Sequence, residues 1–380
     1  MLTHTRVMEP SSYTIACNSM LDAPLTLRSG LVLNNRAAVA AMTNGQSLGD
    51  GRAGDDEIHW LARRADGGFG CVATCAAYVS RDGKAWDGQL GVDSDDDLEG
   101  LARFAERVQR GGCAGMIQLF HGGVRATQRL TGEQVWSATT FHEDGKDFET
   151  PRAATEADIE RVIGDFIAAA ARAQKAGWTG VELHGAHGYL LTQFMSATQN
   201  TRGDRWGGAS LEHRARLVRE VMRGVRARVG PKFTVGVRLS FESGGNAKGL
   251  DFDEIVQVAK WLCDDGADFI HASLFYAERN TRKYPDQHPI PLIRAALPKA
   301  VALFAAGNIW TGGDAAAALD RGADVVALAR CAIFNPDWPR HATTPGWEPK
   351  RPPATPDELA ALAVSPAFVT YLRHFKNLVA

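Results

Sequence analysis

No apolar stretch of this chain approaches the roughly 18 residues that a membrane-crossing helix needs, so a spanning protein is not expected. Nor does one sign of charge prevail. Across 380 residues the formal net charge is −2, which gives no support for nucleic acid or a membrane surface as the main partner. Cysteine is sparse: Cys17, Cys71, Cys75, Cys113, Cys263 and Cys331 are scattered, and none forms a C-x2-C pair. A zinc or iron–sulfur framework is therefore missing and no metal is expected. Buried thiols in a reducing cytoplasm are the simplest reading, and the N-terminus has no apolar secretory core, so a cytoplasmic location is expected. A G-x-G-x-x-G turn after the first apolar run is absent too. Thr43-Asn44-Gly45-Gln46-Ser47 stands there instead, which removes the signature of an open dinucleotide-binding sheet.

What is present is an ordinary globular composition, 45% hydrophobic and 23% charged, ample for one large core. The first 24 residues show no clear periodicity and read as an extension. Residues 25–28 and 31–33 flank Ser29-Gly30 as a small hairpin. Short apolar runs follow at 37–42, 70–77, 114–119, 180–183, 234–239, 268–273, 302–306 and 324–329. Helical patterns fill the gaps at 55–64, 95–109, 156–176, 211–229, 253–265, 292–297 and 314–321, with a last one at 366–375. Glycine closes several of them: Gly112, Gly177, Gly230, Gly266 and Gly322. Strands separated by helices must run parallel, and eight such units predict an α/β fold, a closed (β/α)8 barrel. The hairpin would plug its bottom, and residues 122–155 would be an excursion over the catalytic face after strand three. Residues 25–380 then form one barrel domain.

In such a barrel the functional groups stand where strands end. Read in order, those ends offer Met42 and Thr43, then Cys75 and Ala76, Gln118 and His121, His184 with His187 and Tyr189, Arg238, Gly307 with Asn308, and Ala329 with Arg330. The fourth set is the most informative. Two imidazoles can hold an electron-rich oxygen between them, and a phenol beside them can deliver a proton. The ends of strands seven and eight are the usual phosphate position of the fold, where Gly307 allows close backbone approach and Arg330 adds charge. Arg238 emerges from an apolar strand and needs an anionic partner. Gln118 supplies a donor and an acceptor, which suits the edge of a heteroaromatic ring. A phosphate site, an amide and a cation around one mouth describe a flavin mononucleotide, FMN.

These stretches resemble the Old Yellow Enzyme family of FMN-dependent ene-reductases, from about Leu25 onward. The resemblance is carried by Asn35-Arg36, Ala41-Met42-Thr43, Gln118-Leu119-Phe120-His121 and the run from Gly180 to Leu190 with its H-G-A-H-G-Y core. It continues through Asn200-Thr201-Arg202-Gly203-Asp204-Arg205-Trp206-Gly207-Gly208, Val237-Arg238, Gly307 and Arg330. The resemblance implies that Met42, Thr43, Ala76, Gln118, His184, Arg238, Gly307, Asn308, Ala329 and Arg330 bind FMN, with Thr43 hydrogen-bonded to a flavin carbonyl. It implies that NADPH or NADH reduces the flavin and that a small α,β-unsaturated carbonyl or nitro compound is the substrate. His184 and His187 would hold the substrate oxygen, and Tyr189 would protonate the α-carbon. The chain departs from the family pattern at Ala41, Trp206 and Ala329, and the family's H-x-G-R reads His121-Gly122-Gly123-Val124-Arg125 here.

Phe275 and Tyr276, after strand six, are positioned to touch substrate or nicotinamide. Trp86, Trp136, Trp310 and Trp347 could line a cleft or simply pack. The segment Tyr371-Leu372-Arg373-His374-Phe375 either lies on its own barrel or reaches a neighbouring subunit of a homo-oligomer. Two rival functions keep the barrel: a phosphate-substrate lyase or isomerase, and a flavin-binding module without turnover.

Overall fold

The computed structural model describes residues 20–142 and 149–380, so Cys17 and most of the extension lie outside the described residues. Eight parallel strands close into a barrel: β1 (Ala37–Val39), β2 (Cys71–Tyr78), β3 (Ala114–Phe120), β4 (Gly180–Gly185), β5 (Thr234–Leu239), β6 (Phe269–Ser273), β7 (Ala302–Ala306) and β8 (Val325–Leu328). They neighbour one another in chain order, and β8 returns to β1 through the pairs Val326 with Ala37 and Leu328 with Val39. Helices α1 (Asp55–Asp66), α2 (Leu98–Gln109), α3 (Glu156–Lys175), α4 (Leu211–Val229), α5 (Phe252–Asp264), α6 (Pro289–Ala296) and α7 (Gly312–Asp320) wrap the outside. Each turns an apolar stripe inward, as Val218, Val221, Met222 and Val225 of α4 do, because the outward strand faces beneath are apolar. Starts are set by side-chain caps: Thr155 with Asp158 and Thr311 with Asp314 form capping boxes, and Asp251 caps α5.

The hairpin is where the sequence places it. Leu25–Thr26 pairs antiparallel with Val32–Leu33, and Leu27 and Leu33 enter a cluster with Ala38, Met116, Phe269, Phe304 and Val325 inside the barrel. Ser29 Oγ lies 2.7 Å from Thr234 Oγ1 at the start of β5, which pins the turn across the lower opening. Phe269 and Phe304 stack there at 4.4 Å between centroids, and Gly236 leaves room for the Phe269 ring, with which any Cβ at that position would collide. Leu21, within the expected extension, is buried, and its carbonyl accepts from the Arg36 amide at 2.9 Å.

The excursion after β3 packs against the turns that follow β2 and β4, at the C-terminal face of the barrel. Its described residues line neither cavity at the mouth. They brace the neighbouring turns instead: Trp136–Ser137 pairs with Arg152–Ala153, Ser137 Oγ donates to Gln193 Oε1 at 2.7 Å, and Trp136 Nε1 donates to Asp82 at 2.8 Å. Asp82 also accepts from Arg161 at 2.6 Å and from Ser80 at 2.7 Å. Burial pushes this carboxyl up, but His121, Arg161 and Trp136 together hold it well below the usual carboxylate range.

A different segment lines the mouth. Helix α8 (Pro366–Leu372) is held against α1 by a T-shaped contact of Trp60 with Phe368 at 5.4 Å. The fully buried Arg64 donates to the carbonyls of Trp60, Ala332, Ile333 and Leu362 at 2.8–3.0 Å, which ties α1 to the last third of the chain. A guanidinium spends its donors on backbone oxygens there, so its desolvation is repaid.

Candidate active site

Two adjoining cavities open at the C-terminal ends of the strands, of about 360 Å³ and about 330 Å³, within the size range of small-molecule sites. They share His187, Arg238, Ala329 and Arg330. The second is lined by Met42, Thr43, Ala76, Gln118, His184 and Tyr189, all expected from sequence, and the first adds Gly307, Asn308 and Phe275. Tyr276 is not among them. It lines a neighbouring cleft, with the Arg279 guanidinium 3.8 Å above its ring.

The strand-four cluster is compact. His184 ends β4 beside Arg238 of β5, and its ring lies 5.1 Å from that of His187 and 4.9 Å from that of Tyr189. His187 takes φ 62°, a conformation few non-glycine residues adopt, and this turns its ring back over the mouth. Gly188 follows at φ 80°, and a Cβ there would run into the Asn246 carbonyl. Arg125 does not join the cavities; its Nε donates to the Gly188 carbonyl at 3.3 Å and supports the turn from behind. Phe120 packs on Tyr189 at 4.4 Å and on His184 at 5.7 Å, and Trp86 packs on Phe120.

This apolar surround fixes the protonation states. Burial, assisted by the charge of Arg238, lowers His184 to about 3 and holds His187 well below the usual imidazole value, so both rings are neutral. His184 Nδ1 accepts from the Ala186 amide at 3.4 Å, which leaves the proton on Nε2. His187 Nε2 lies 2.7 Å from Ser273 Oγ, and Ser240 Oγ accepts from the His187 amide at 3.0 Å. Burial pushes the Tyr189 phenol up to about 12, so it keeps its proton at neutral pH.

Arg238 is buried, donating from Nε to Ser273 Oγ at 3.3 Å and from Nη1 to the Ala41 carbonyl at 3.1 Å. Among the described residues no carboxylate lies within ion-pair reach of it. A buried cation with donors to spare, lining both cavities, is what an electron-rich ring edge would satisfy. Gln118 faces the same space with an amide. At the other end Arg330 is exposed, and its Nη2 donates to Asn308 Oδ1 at 2.9 Å, beside a Gly307 packed too tightly against Ala277 and Leu274 for a Cβ. The residues present fit a flavin nucleotide: Gln118 and Arg238 would hold its ring and Arg330 its phosphate.

Several lining groups escaped the sequence reading. Ser273 Oγ accepts from Arg238 and lies within hydrogen-bond distance of His187 Nε2, while Phe368, Tyr371, Leu372, Phe375 and Leu378 form an apolar wall of the second cavity. Burial pushes the Tyr371 phenol up, against a smaller lowering by the neighbouring Thr43 side chain. The last segment therefore lies on its own barrel. Of the tryptophans, Trp86 and Trp310 line the cavities and Trp136 is buried packing.

A barrel whose mouth carries groups fit for a flavin defines a class, the barrel flavin oxidoreductases. The chain belongs to the NADH:flavin oxidoreductase / NADH oxidase family, whose model matches residues 20–345. It is 34% identical over 324 residues to the probable NADH-dependent flavin oxidoreductase YqiG of Bacillus subtilis (strain 168), covering 84% of this chain and 86% of that one. It is also 34% identical over 318 residues to an NADPH dehydrogenase of Halalkalibacterium halodurans, covering 82% and 91%. The structure of the Old Yellow Enzyme homologue from Zymomonas mobilis superposes with a TM-score of 0.76 at 28% identity, over 87% of this chain and 94% of that one. The Old Yellow Enzyme resemblance thus holds: this is an oxidoreductase that uses FMN and NADH or NADPH. The lyase and non-catalytic alternatives fall with that assignment. Among the described residues no helix is long and apolar enough to cross a membrane, and no cluster of side chains could hold a metal ion.

Proposed function

We propose that the protein, with residues 25–380 acting as one FMN-binding unit, reduces the activated C=C bond of α,β-unsaturated carbonyl or nitro compounds. The observation that carries this reading is the meeting of three neutral, proton-bearing side chains, His184, His187 and Tyr189, on the cavity that also holds Gln118 and the buried Arg238. When bound, FMN supplies the hydride that goes to the β-carbon. The protein supplies the rest. His184, with its proton on Nε2, donates to the substrate oxygen, and His187 offers the second donor once its ring exchanges Ser273 for substrate. Negative charge grows on that oxygen as the alkene accepts electrons, so donors held in place by packing favour the transition state over the ground state. Tyr189 then gives its proton to the α-carbon. A phenol held near 12 is a weak acid toward water but an adequate one toward a carbanion-like centre. The cavity wall of Phe368, Tyr371, Leu372 and Phe375 excludes water from this exchange and favours apolar alkenes.

The test separates the two halves of the cycle under anaerobic conditions. NADH and NADPH should each be offered to the holoenzyme, followed by a panel of enones, maleimides and nitroalkenes. Tyr189→Phe should still oxidise nicotinamide at a near-normal rate while alkene reduction falls by about 10²-fold or more. An alkene reduction step untouched by that substitution would remove Tyr189 from the mechanism, and a wild-type enzyme that reoxidises with no member of the panel would end the proposal.

A further inference from the structure

One buried carboxylate beneath the mouth has no part in the chemistry above. Glu182 lies two positions before His184 on β4, with its side chain inside the barrel. It accepts from Gln118 Nε2 at 2.7 Å on the adjacent strand and lies 2.7 Å from His271 Nδ1 across the interior. We propose that Glu182 is a positioning residue for the cofactor, fixing the orientation of the Gln118 amide and offsetting Arg238, so that its charge holds down the reduction potential of bound FMN.

The orientation follows from hydrogen-bond chemistry. A carboxylate only accepts, so the amide end of Gln118 that faces Glu182 must be its NH2. The carbonyl Oε1 and the second N–H are then left for the cavity, an acceptor and a donor side by side. The pairing is built into the sheet, since Gln118 and Glu182 are register partners. The charge follows from the surroundings. Burial pushes the Glu182 carboxyl up, while the hydrogen bonds from His271 and Gln118 and the charge of Arg238 bring it below the ordinary range, so it is ionised. Burial keeps His271 low despite the carboxylate, and its Nε2 has no hydrogen-bond partner among the described residues, so Nδ1–H donates from a neutral ring. Arg238 and Glu182 are thus the two formal charges of this layer. A negative charge in a low-dielectric interior disfavours adding electrons to a ring nearby, and the cation does the reverse.

This inference rests on the FMN reading of the cavity, and the experiment keeps the two apart. FMN affinity and midpoint potential are measured by titration and dye equilibration on wild-type holoenzyme and on Glu182→Gln. Loss of the charge should make reduced FMN bind about tenfold tighter relative to oxidised FMN, which for a two-electron couple moves the midpoint about 30 mV more positive. Phe269→Leu, buried in the same barrel but uncharged, should leave the midpoint where it was. If Glu182→Gln does not fold, because Arg238 is left without its offset, the comparison is made between Arg238→Gln and the double variant Arg238→Gln with Glu182→Gln. The double variant should show the same positive shift over the single one. A folded Glu182→Gln enzyme with an unchanged or more negative midpoint overturns the proposal. A wild-type protein that takes up no FMN would instead overturn the reading beneath it.

Discussion

At its lower end the barrel interior is filled by Met116, Phe269, Phe304 and Val325, closed from outside by Leu27 and Leu33 of the hairpin. A few ångströms higher, β3 to β6 carry Gln118, Glu182, Arg238 and His271, all buried; Glu182 hydrogen-bonds both Gln118 and His271, while Arg238 donates to Ser273 and the Ala41 carbonyl. The lower layer needs nothing but shape, because its side chains gain free energy merely by leaving water. The upper layer costs free energy to bury, and it is tolerated where each polar group finds a partner. The contrast shows where stability and chemistry are separated along β3 to β6: two residues of strand advance divide one from the other.

Breaking the lower layer should have the largest effect on folding. Phe269→Ala should destabilise by about 3–5 kcal/mol in urea unfolding, with FMN potential and substrate preference unchanged in the enzyme that remains folded. His184→Ala acts at the other end. It should slow alkene reduction by about 10²–10³-fold in stopped-flow traces and weaken phenolic ligands, with little change in the urea midpoint. Arg330→Ala should weaken FMN by about tenfold, the scale of one hydrogen bond to a charged group, yet leave riboflavin affinity untouched, which isothermal titration would distinguish.

The smallest effect is an expected absence. With His184 lowered to about 3 and Tyr189 raised to about 12, neither donor changes state between pH 5 and roughly 10, so the alkene-reduction step should be flat across that range. Stability should not be flat. The folded imidazoles of His184, His187 and His271 refuse protons that the unfolded chain accepts near its usual value of 6.5. Stability is therefore retained above that pH and declines as pH falls below it. Stability that rose from pH 7 to pH 5 would show that these rings are charged in the folded protein.

Much of this was legible in the chain. Strands β5 and β7 appear with the bounds their apolar runs indicate, and Gln118, His184, His187, Tyr189 and Arg238 converge because strand ends in a closed barrel have no other place to go. β1 is shorter than its run: after Val39 the chain leaves the ladder, and Ala41, Met42 and Thr43 become cavity lining. Glu182 and His271 carried a signal that went unused, a carboxylate in V-E-L and an imidazole in F-I-H-A-S, each costly in an apolar strand unless paired. Tyr276 lines the neighbouring cleft and not the two cavities, because the direction of a loop residue is set by its neighbours, here the stacked Arg279. The aromatic wall of α8 could not be read. Its residues lie far from Thr43 in sequence and are brought there by contacts such as that of Trp60 with Phe368.

That wall has a consequence for biogenesis. A ribosome releases a chain N-terminal end first, so the β1 floor with Thr43 and the β4 turn emerge well before Phe368, Tyr371 and Phe375. Until those side chains arrive, the space beside Thr43 and the imidazoles lacks its apolar wall, so the site is complete only when these distant parts of the chain have met.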